Sequence, residues 1–419
     1  DDDFSDSVID QNKRVVLFYV EHTAMFDRVT GVQRVCHKLA SHLANNNNEI
    51  VILVKLSVEN LEFTPLNHEE LQRFVGFSGF KISSAERRYY VPAIFKTLIS
   101  SLKDHSRKSW LIIPEVTYHS VHMPPPTSRL IKLARDYGLK VGVIAYDMIP
   151  LITEDASINA QKHINYISDI SLADVIWPIS NYASKSLVDF LLYDEKLSNQ
   201  QMPIISVKPL AEEKSGARVM LNSNENSGNI LCLGTIDERK NQITLIRAFN
   251  KYCEYNKSNG WKLQIVGLIR DDYKKTIEKA CENNPNIELY YSANDEDINI
   301  FFQEASFTVF PSLEEGYGLP IVESLWHLRP CICANFGSMY ELTKKGGCLS
   351  VDVREVDELV SALTVMTQGG GVYKEKINEI LVRNVKTWHE YSESILNDMD
   401  LYQFGERCSG LIYYWVDAT

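Results

Sequence analysis

Short apolar runs alternate with segments of helical periodicity along the whole chain. Residues 13–20 predict a strand, and the apolar residues between positions 32 and 43 recur at the spacing of an amphipathic helix. Because the runs are almost continuously apolar, they are typical of parallel strands that helices cover on both faces. The same pattern predicts further strands in the first half of the chain, at 49–56, 109–114, 139–146, 174–180 and 203–210.

The pattern starts again after a polar segment. Residues 211–228 hold few large apolar side chains and many Ser, Asn and Glu, which is typical of a linker. Beyond it the sequence predicts strands at 229–235, 261–267, 287–292, 307–312 and 330–335. Strands alternating with helices predict an α/β protein. We therefore expect two Rossmann-like domains with parallel sheets that face an interdomain cleft, over 1–210 and 229–395, and a tail (396–419) that packs back toward the first domain.

Composition and charge narrow the class of protein. The chain has 419 residues, of which 45% are hydrophobic and 23% charged, so it is neither disordered nor fibrous. At about 100–200 residues per domain, this length predicts more than one domain. The 43 basic residues are outnumbered by 55 acidic ones, and a net charge of −12 argues against a nucleic-acid partner. No apolar run reaches the roughly 18 residues of a membrane-spanning helix.

The cysteines and the N-terminus bear on location. The 8 cysteines are scattered, without a CxxC pair or zinc-like spacing, which is typical of buried thiols in a reducing cytoplasm. The acidic, polar N-terminus is not a signal peptide. We therefore expect a cytoplasmic protein, with the inner face of the membrane as an alternative location. Since the chain lacks an initiator Met, either a tag was removed or this is one module of a larger polypeptide.

The segment 310–335 carries the most informative chemistry. A strand leads into a loop with Gly316 and Gly318, and Pro320 suits the first turn of a helix. Glu315 lies in the loop and Glu323 about one turn into the helix. Loop N–H groups that lead into a helix N-terminus favour an anion, and carboxylates accept hydrogen bonds from sugar hydroxyls. The alternative is that Glu315 merely caps the helix.

A second loop, within 233–241, places Arg239 beside Lys240 between a strand and a helix. The helix dipole disfavours cations at that end, so two of them indicate an anion-binding site. The alternative is a solvated pair of side chains.

These segments resemble a known family. EEGYGLPIVES (314–324) is similar to the E-x7-E segment of glycosyltransferase family 4, and LGTIDERKN (233–241) resembles the GT-x-x-x-RKN loop of the same family. The stretch around Asn335 and the helix around Trp388 fall in the same register, so the resemblance covers about 229–400. It implies the two-domain GT-B fold. Tyr317 replaces the usual Phe, and Thr235 stands where many members carry Arg.

The resemblance also implies roles. Glu323 would bind the ribose hydroxyls of a nucleotide sugar, Glu315 the donor sugar, and Lys240 the departing diphosphate. The donor site as a whole would comprise Gly31, Gly234, Thr235, Arg239, Lys240, Glu315, Gly316, Tyr317, Gly318, Leu319 and Glu323.

Two candidate sites lie in the first half. Gly31 opens a predicted helix in VTGVQRV, and Arg34 beside it binds either an anion of the substrate or Asp27. Asp147 follows a predicted strand, and ligands of parallel sheets bind at the carboxyl ends of the strands. The segment YDMIP resembles an HD-x-x-P motif in which Tyr146 replaces His. Asp147 would orient or deprotonate the acceptor hydroxyl, or it would only cap a helix. The predicted catalytic residues are thus Asp147, Glu315 and Lys240, with Arg34 and Asp147 on the acceptor side.

The predicted activity is transfer of a sugar from a nucleoside diphosphate-sugar to a hydroxyl of a growing glycan, such as bacterial O-antigen, lipopolysaccharide or capsule. The resemblance implies retention of configuration, without metal or other cofactor. Asp295 and Asp297 form a D-x-D, but first-turn acids explain them better than a metal site. The amphipathic stretch 90–108 packs on the sheet or, alternatively, contacts a membrane that carries a lipid-linked acceptor. The rival functions are a nucleotide-sugar epimerase, a phosphorylase, or a non-catalytic module, which the departures at Thr235 and Tyr146 would favour.

Overall fold

The structure is a computed structural model. It describes residues 13–402 except for 26–29, 58, 60, 78–94, 103–108, 120–125, 153–155, 194–201, 215–227 and 257–259. The chain divides into two units. The first runs to Leu210 and resumes at Trp388, and the second is Ala211–Thr387.

The first unit is built on a sheet of seven strands in the order β3-β2-β1-β4-β5-β6-β7. All neighbouring strands are parallel except β2 and β3. The strands are β1 (Arg14–Tyr19), β2 (Glu49–Leu56), β3 (Phe63–Pro65), β4 (Trp110–Ile113), β5 (Lys140–Ala145), β6 (Val175–Pro178) and β7 (Ile204–Ile205). Its α-helices are Glu21–Met25, Gly31–Ala44, His68–Phe77, Phe95–Ser101, Thr127–Asp136, Ile149–Ile152, Ala156–Ile170, Asn181–Tyr193 and Trp388–Leu401, and a 3-10 turn covers Thr117–His119.

The core of the first unit forms where the apolar strands meet the inner faces of the helices. Every residue of β1 and of β4 is buried, as the continuous apolar runs predict. Trp110 and Trp177 stack with ring centroids 6.2 Å apart. Gly142 in β5 makes room for the Trp177 ring, because a Cβ there would lie 2.3 Å from it.

Buried polar contacts attach the helix Trp388–Leu401 to the first unit. Asp398 accepts hydrogen bonds from the Trp177 indole at 2.9 Å and from Lys208 Nζ at 3.0 Å. Arg14, itself buried, forks onto Glu49 and also reaches Asp400 at 2.8 Å. The whole helix therefore belongs to the first unit, whereas the sequence analysis placed the boundary at 395. Residues of the predicted tail beyond 402 lie outside the described residues.

The second unit contains a sheet of six parallel strands in the order β10-β9-β8-β11-β12-β13. They are β8 (Asn229–Leu233), β9 (Lys262–Val266), β10 (Ile287–Tyr290), β11 (Phe307–Phe310), β12 (Cys331–Ala334) and β13 (Cys348–Val351). Its helices are Gln242–Tyr255, Asp271–Cys281, Asp295–Glu304, Leu319–Trp326, Gly337–Thr343, Val356–Thr367 and Gly371–Val382.

The strands predicted from the sequence are confirmed, with ends that differ by a few residues. Two strands were missed, β3 and β13, which lie at the edges of their sheets. The predicted linker was too wide at its start, because Glu212 is buried and pairs with Arg383 Nε at 2.8 Å and Lys345 Nζ at 3.0 Å. Residues 215–227 of that linker lie outside the described residues.

Candidate functional site

The second unit has a topological switch point between β8 and β11. The chain runs outward from β8 through β9 to β10 on one side, and from β11 through β12 to β13 on the other. Ligands of such sheets bind at the carboxyl ends of the strands where the order reverses. The loops that follow β8 and β11 meet there, and they carry the residues that the sequence analysis singled out.

Glu315 is the centre of this cluster. One of its carboxylate oxygens, Oε1, accepts hydrogen bonds from Arg239 Nη1 at 2.8 Å, Lys240 Nζ at 2.5 Å and Ser312 Oγ at 2.6 Å. Arg239 also donates to the Glu314 carbonyl at 2.6 Å. Glu315 therefore joins the two loops and does not cap the following helix. The solvated-pair alternative for the two cations is wrong, since both side chains are largely buried against the carboxylate.

The electrostatics of the cluster favour an anion. Burial alone would raise the pKa of Glu315, but the charges of Lys240 and Arg239 outweigh it and lower the pKa below its usual value. The carboxylate is therefore ionised, and it faces two cations, while Asp237 of the same loop accepts from the Lys240 N–H at 2.9 Å. Lys240 Nζ also lies 4.8 Å from the centre of the Phe310 ring, which fixes the ammonium at the end of β11.

Asn241 holds the cationic loop in place, a role that the sequence analysis did not assign. Its backbone is left-handed (φ 58), a conformation that Asn tolerates better than most residues. Its side-chain amide donates to the Pro311 carbonyl at 3.2 Å and to the Val353 carbonyl at 2.9 Å. The third residue of the RKN motif is therefore structural.

Two glycines bring the loops after β8 and β9 together. Gly267 has φ +157, and a Cβ on it would lie 1.9 Å from the Gly234 carbonyl oxygen. Gly234 itself has φ +142. Thr235 next to it is exposed, and its carbonyl accepts a bond from Gln242 at 2.8 Å. The predicted donor residues Gly234 and Thr235 thus lie at the carboxyl end of β8.

The remaining predicted donor residues lie on the loop and helix after β11. Gly318 is left-handed (φ 108) and precedes the helix Leu319–Trp326. Gly316 and Tyr317 are buried beside it. Glu323 is buried in the second turn of that helix, as the spacing predicts.

The D-x-D segment is a capping box. The Asn294 side chain accepts from the Asp297 N–H at 2.9 Å, and Asp297 accepts from the Asn294 N–H at 3.0 Å. The first-turn interpretation is confirmed. Within the described stretches, no cluster of three or more metal-ligating side chains occurs.

The first unit holds a second candidate site, a cavity of about 340 Å³. It lies where its sheet reverses order, between β1 and β4. The side chains that line it follow three neighbouring strands: His22 after β1, Glu115 after β4, and Tyr146 and Asp147 after β5. A cavity of this size falls within the range of small-molecule sites.

Asp147 lines this cavity, and it also has a structural contact. Its Oδ1 accepts from the Ile149 N–H at 3.0 Å, at the start of a short helix, so the capping interpretation is supported. Tyr146, which replaces the motif's His, is buried, and its hydroxyl donates to the Pro114 carbonyl at 2.5 Å. Burial is the main cause that raises the pKa of Tyr146 far above its usual value. Tyr146 is therefore an anchoring residue and not a proton carrier.

Glu115 is a site residue that the sequence analysis missed. Its buried carboxylate accepts from the His22 N–H at 2.8 Å, the Thr23 N–H at 3.0 Å and the Thr23 hydroxyl at 2.7 Å. Burial raises the pKa of Glu115 to about 7 against these three bonds. The available signal was an acidic residue directly after a predicted strand.

The helix Gly31–Ala44 borders the cavity through Thr30 and Gln33. Gln33 accepts from the Thr30 N–H at 3.0 Å, and its amide nitrogen lies 3.1 Å from His22 Nδ1. Gly31 is the first residue of the helix, and the Arg34 N–H donates to the Thr30 carbonyl at 3.0 Å. Neither Gly31 nor Arg34 lines the cavity, and Asp27 lies outside the described residues.

The stretch considered as a membrane contact packs inward. Phe95, Leu98, Ile99 and Leu102 are all buried in the core of the first unit. The packing alternative is thus supported for the described part, 95–102. Across the described stretches, no helix is both long and apolar enough to cross a membrane.

Known proteins resemble parts of this chain in sequence. Residues 214–380 match the family described as glycosyl transferases group 1. A curated relative, the O-antigen chain mannosyltransferase B of Escherichia coli, is 24% identical over 217 residues, 48% of this chain. The chain spans about half the length of that relative, since the match covers 51% of it.

Solved structures match almost the whole chain. HepE from Anabaena, in complex with UDP, has a TM-score of 0.62 at 10% identity and covers 93% of this chain and 100% of its own. Sucrose-phosphate synthase from Thermosynechococcus elongatus has a TM-score of 0.61 at 13% identity, covering 93% and 98%. The expected GT-B fold, with two parallel sheets, is confirmed.

Proposed function

We propose that this chain, which carries a group 1 glycosyl transferase domain over residues 214–380, transfers a sugar from a nucleoside diphosphate-sugar to a hydroxyl of a glycan. One observation carries the proposal: Arg239, Lys240 and Glu315 form a positively charged cluster at the switch point of the second sheet. Fixed cations at this place suit a diphosphate, because they need no reorganisation as negative charge develops on it.

The donor would bind along the loops of the second unit. Lys240 and Arg239 would neutralise the diphosphate, and Glu323 would accept hydrogen bonds from the ribose hydroxyls. Glu315 holds both cations, so in this proposal it orients them as well as contacting the donor sugar. The N–H groups at the start of the helix Leu319–Trp326 add a further attraction for phosphate oxygens.

The acceptor would bind in the first unit, with Asp147 directed at its reacting hydroxyl. The relative from Escherichia coli is an O-antigen mannosyltransferase, which supports a bacterial surface polysaccharide as the acceptor. A lipid-linked form of that acceptor is the variant to test first. Arg34 is not in the cavity wall, so in this proposal it affects acceptor binding only through the residues that border the cavity.

We further propose that the reaction retains the anomeric configuration and uses no metal. In this account the leaving phosphate takes the acceptor proton, Lys240 and Arg239 supply positive charge, and the protein contributes orientation. The buried Tyr146, anchored on Pro114, takes no part in proton transfer.

The experiment is a transfer assay over a panel of nucleotide sugars and glycan acceptors, with chelator present. We expect one nucleoside diphosphate to be released, and we expect its release to require the acceptor. The product linkage, axial or equatorial and determined by NMR, should have the same anomeric configuration as the donor sugar. A free epimer would indicate an epimerase, and dependence on inorganic phosphate a phosphorylase. Nucleotide-sugar binding without turnover on any acceptor would favour the non-catalytic module.

A further inference from the structure

The cavity of the first unit has a charge pattern opposite to that of the second unit's cluster. Two carboxylates, Glu115 and Asp147, line it, and its described lining residues include no Lys or Arg. Burial lowers the pKa of His22, so this imidazole is neutral at physiological pH. The wall of the cavity is therefore negative when both carboxyl groups are ionised.

Burial raises the pKa of Glu115 to about 7, so above that pH it carries a charge that no cation neutralises within the described part of the chain. Its partners are two backbone N–H groups and the Thr23 hydroxyl, and it is 1% exposed. A carboxylate can accept more bonds than these three. Its remaining capacity suits hydroxyl donors, and its charge repels anions.

A second imidazole in the cavity is held in a fixed orientation by two hydrogen-bond partners. His163 Nε2 lies 3.0 Å from the Asp147 carbonyl, which can only accept, so Nε2 carries the proton. Nδ1 lies 3.0 Å from the Tyr118 hydroxyl, which can donate or accept. His163 thus positions the Asp147 loop.

Apolar side chains complete the wall. Val32, Val116, Ile167 and Leu187 share the cavity with the carboxylates. A sugar ring has C–H faces and hydroxyls at its edge, so a cavity with apolar walls and a few polar acceptors matches it.

We propose that Glu115 makes this cavity selective for an uncharged acceptor sugar and excludes sugars that carry a phosphate or carboxylate. The inference rests on the proposed function and adds the class of acceptor and the residue that selects it. Selection works by repulsion, because a buried like charge disfavours the wrong ligand more than it strengthens the right one.

The test compares matched pairs of ligands on the full chain at a pH well above the pKa of Glu115, which is about 7. Methyl α-mannoside, α-glucoside and α-galactoside are each set against the corresponding 6-phosphate, with binding followed by ligand-observed NMR and calorimetry. We expect at least one neutral glycoside to bind, and its 6-phosphate to bind at least about 100-fold more weakly. Nucleotide binding to the second unit is measured separately on the same samples.

The main variant is Glu115→Gln, which keeps the shape of the side chain and removes its charge. We expect discrimination against the phosphorylated partner to fall at least about tenfold, with neutral-sugar binding changed less. Asp174→Asn is the matched control, since it removes a carboxylate at the amino end of β6, the end of the sheet opposite to the cavity, and does not line the cavity. Should Glu115→Gln fail to fold, Val116→Lys adds a cation to the wall and is expected to weaken the discrimination against the phosphorylated sugar at least about tenfold.

Equal binding of neutral and phosphorylated sugars by the wild type would overturn the inference. So would a selectivity that both Glu115→Gln and Val116→Lys leave unchanged. If no glycoside binds while a nucleoside diphosphate does, the inference fails and the proposed function stands. If sugars bind selectively but no nucleotide binds, the proposed function fails instead.

Discussion

Replacing Glu115 by Gln should change how the stability of the first unit depends on pH. The carboxylate is buried without a cation, so its charged form is costly in the folded protein and not in the unfolded one. The stability that this group contributes is full below its unfolded pKa and is lost as the pH rises through its folded pKa. Gln has no such dependence.

The size of the effect follows from the pKa. Burial raises the pKa of Glu115 from 4.5 to about 7, against the hydrogen bonds from His22 and Thr23. One pKa unit is worth about 1.4 kcal/mol. Between pH values of about 5 and 8, the wild-type free energy of unfolding should therefore fall by about 2.5 kcal/mol relative to the variant. For a unit of this size, that difference in free energy corresponds to a shift of about 5–10 °C in melting temperature.

The assay is thermal unfolding of both proteins, followed by circular dichroism across this pH range. The stability of the wild type relative to Glu115→Gln should fall as the pH rises and become constant above a pH of about 8. Thr23→Val removes one donor to the carboxylate and should steepen the wild-type slope. A stability difference that is constant with pH, or that changes in the opposite direction, would refute the argument that the charge is buried without compensation.

Further substitutions test other parts of the account. Lys240→Ala should lower kcat at least about 100-fold with less change in donor KM, since it removes charge from the transition state; steady-state kinetics would show this. Tyr146→Phe should cost about 1 kcal/mol through its bond to Pro114, measured by urea unfolding, and leave the pH profile of kcat unchanged. Gly267→Ala should destabilise the second unit by about 1–3 kcal/mol and weaken nucleotide binding, because its Cβ would collide with Gly234.

Hydrophobic pattern was enough to predict the fold because most strands are buried on both faces and read as continuous apolar runs. The missed strands lack that signature. β3 has only three residues, of which only Phe63 is buried, and β13 (Cys348–Val351) buries only its first residue. Neither segment therefore forms the long apolar run by which the other strands were predicted.

The sequence predicted most residues of the candidate site, but it did not predict how these residues contact one another. The sequence placed Arg239, Lys240 and Glu315 in ligand-facing loops, yet only the neighbouring positions of β8 and β11 bring them into one ion cluster. Glu115 went unnoticed because nothing local distinguishes a buried acid after a strand from an exposed one. Its partners His22 and Thr23 come from a distant part of the chain.

Calorimetric titration with UDP, GDP and dTDP tests the central claim most directly. The account predicts that one of them binds to the wild type with chelator present, and that Glu323→Ala weakens that binding at least about tenfold by removing the ribose contact. Glu341→Ala, in the neighbouring helix Gly337–Thr343, should leave it unchanged. If no nucleoside diphosphate binds, with or without Mg²⁺, the cationic cluster around Glu315 is not a donor site and the proposed glycosyl transfer is contradicted.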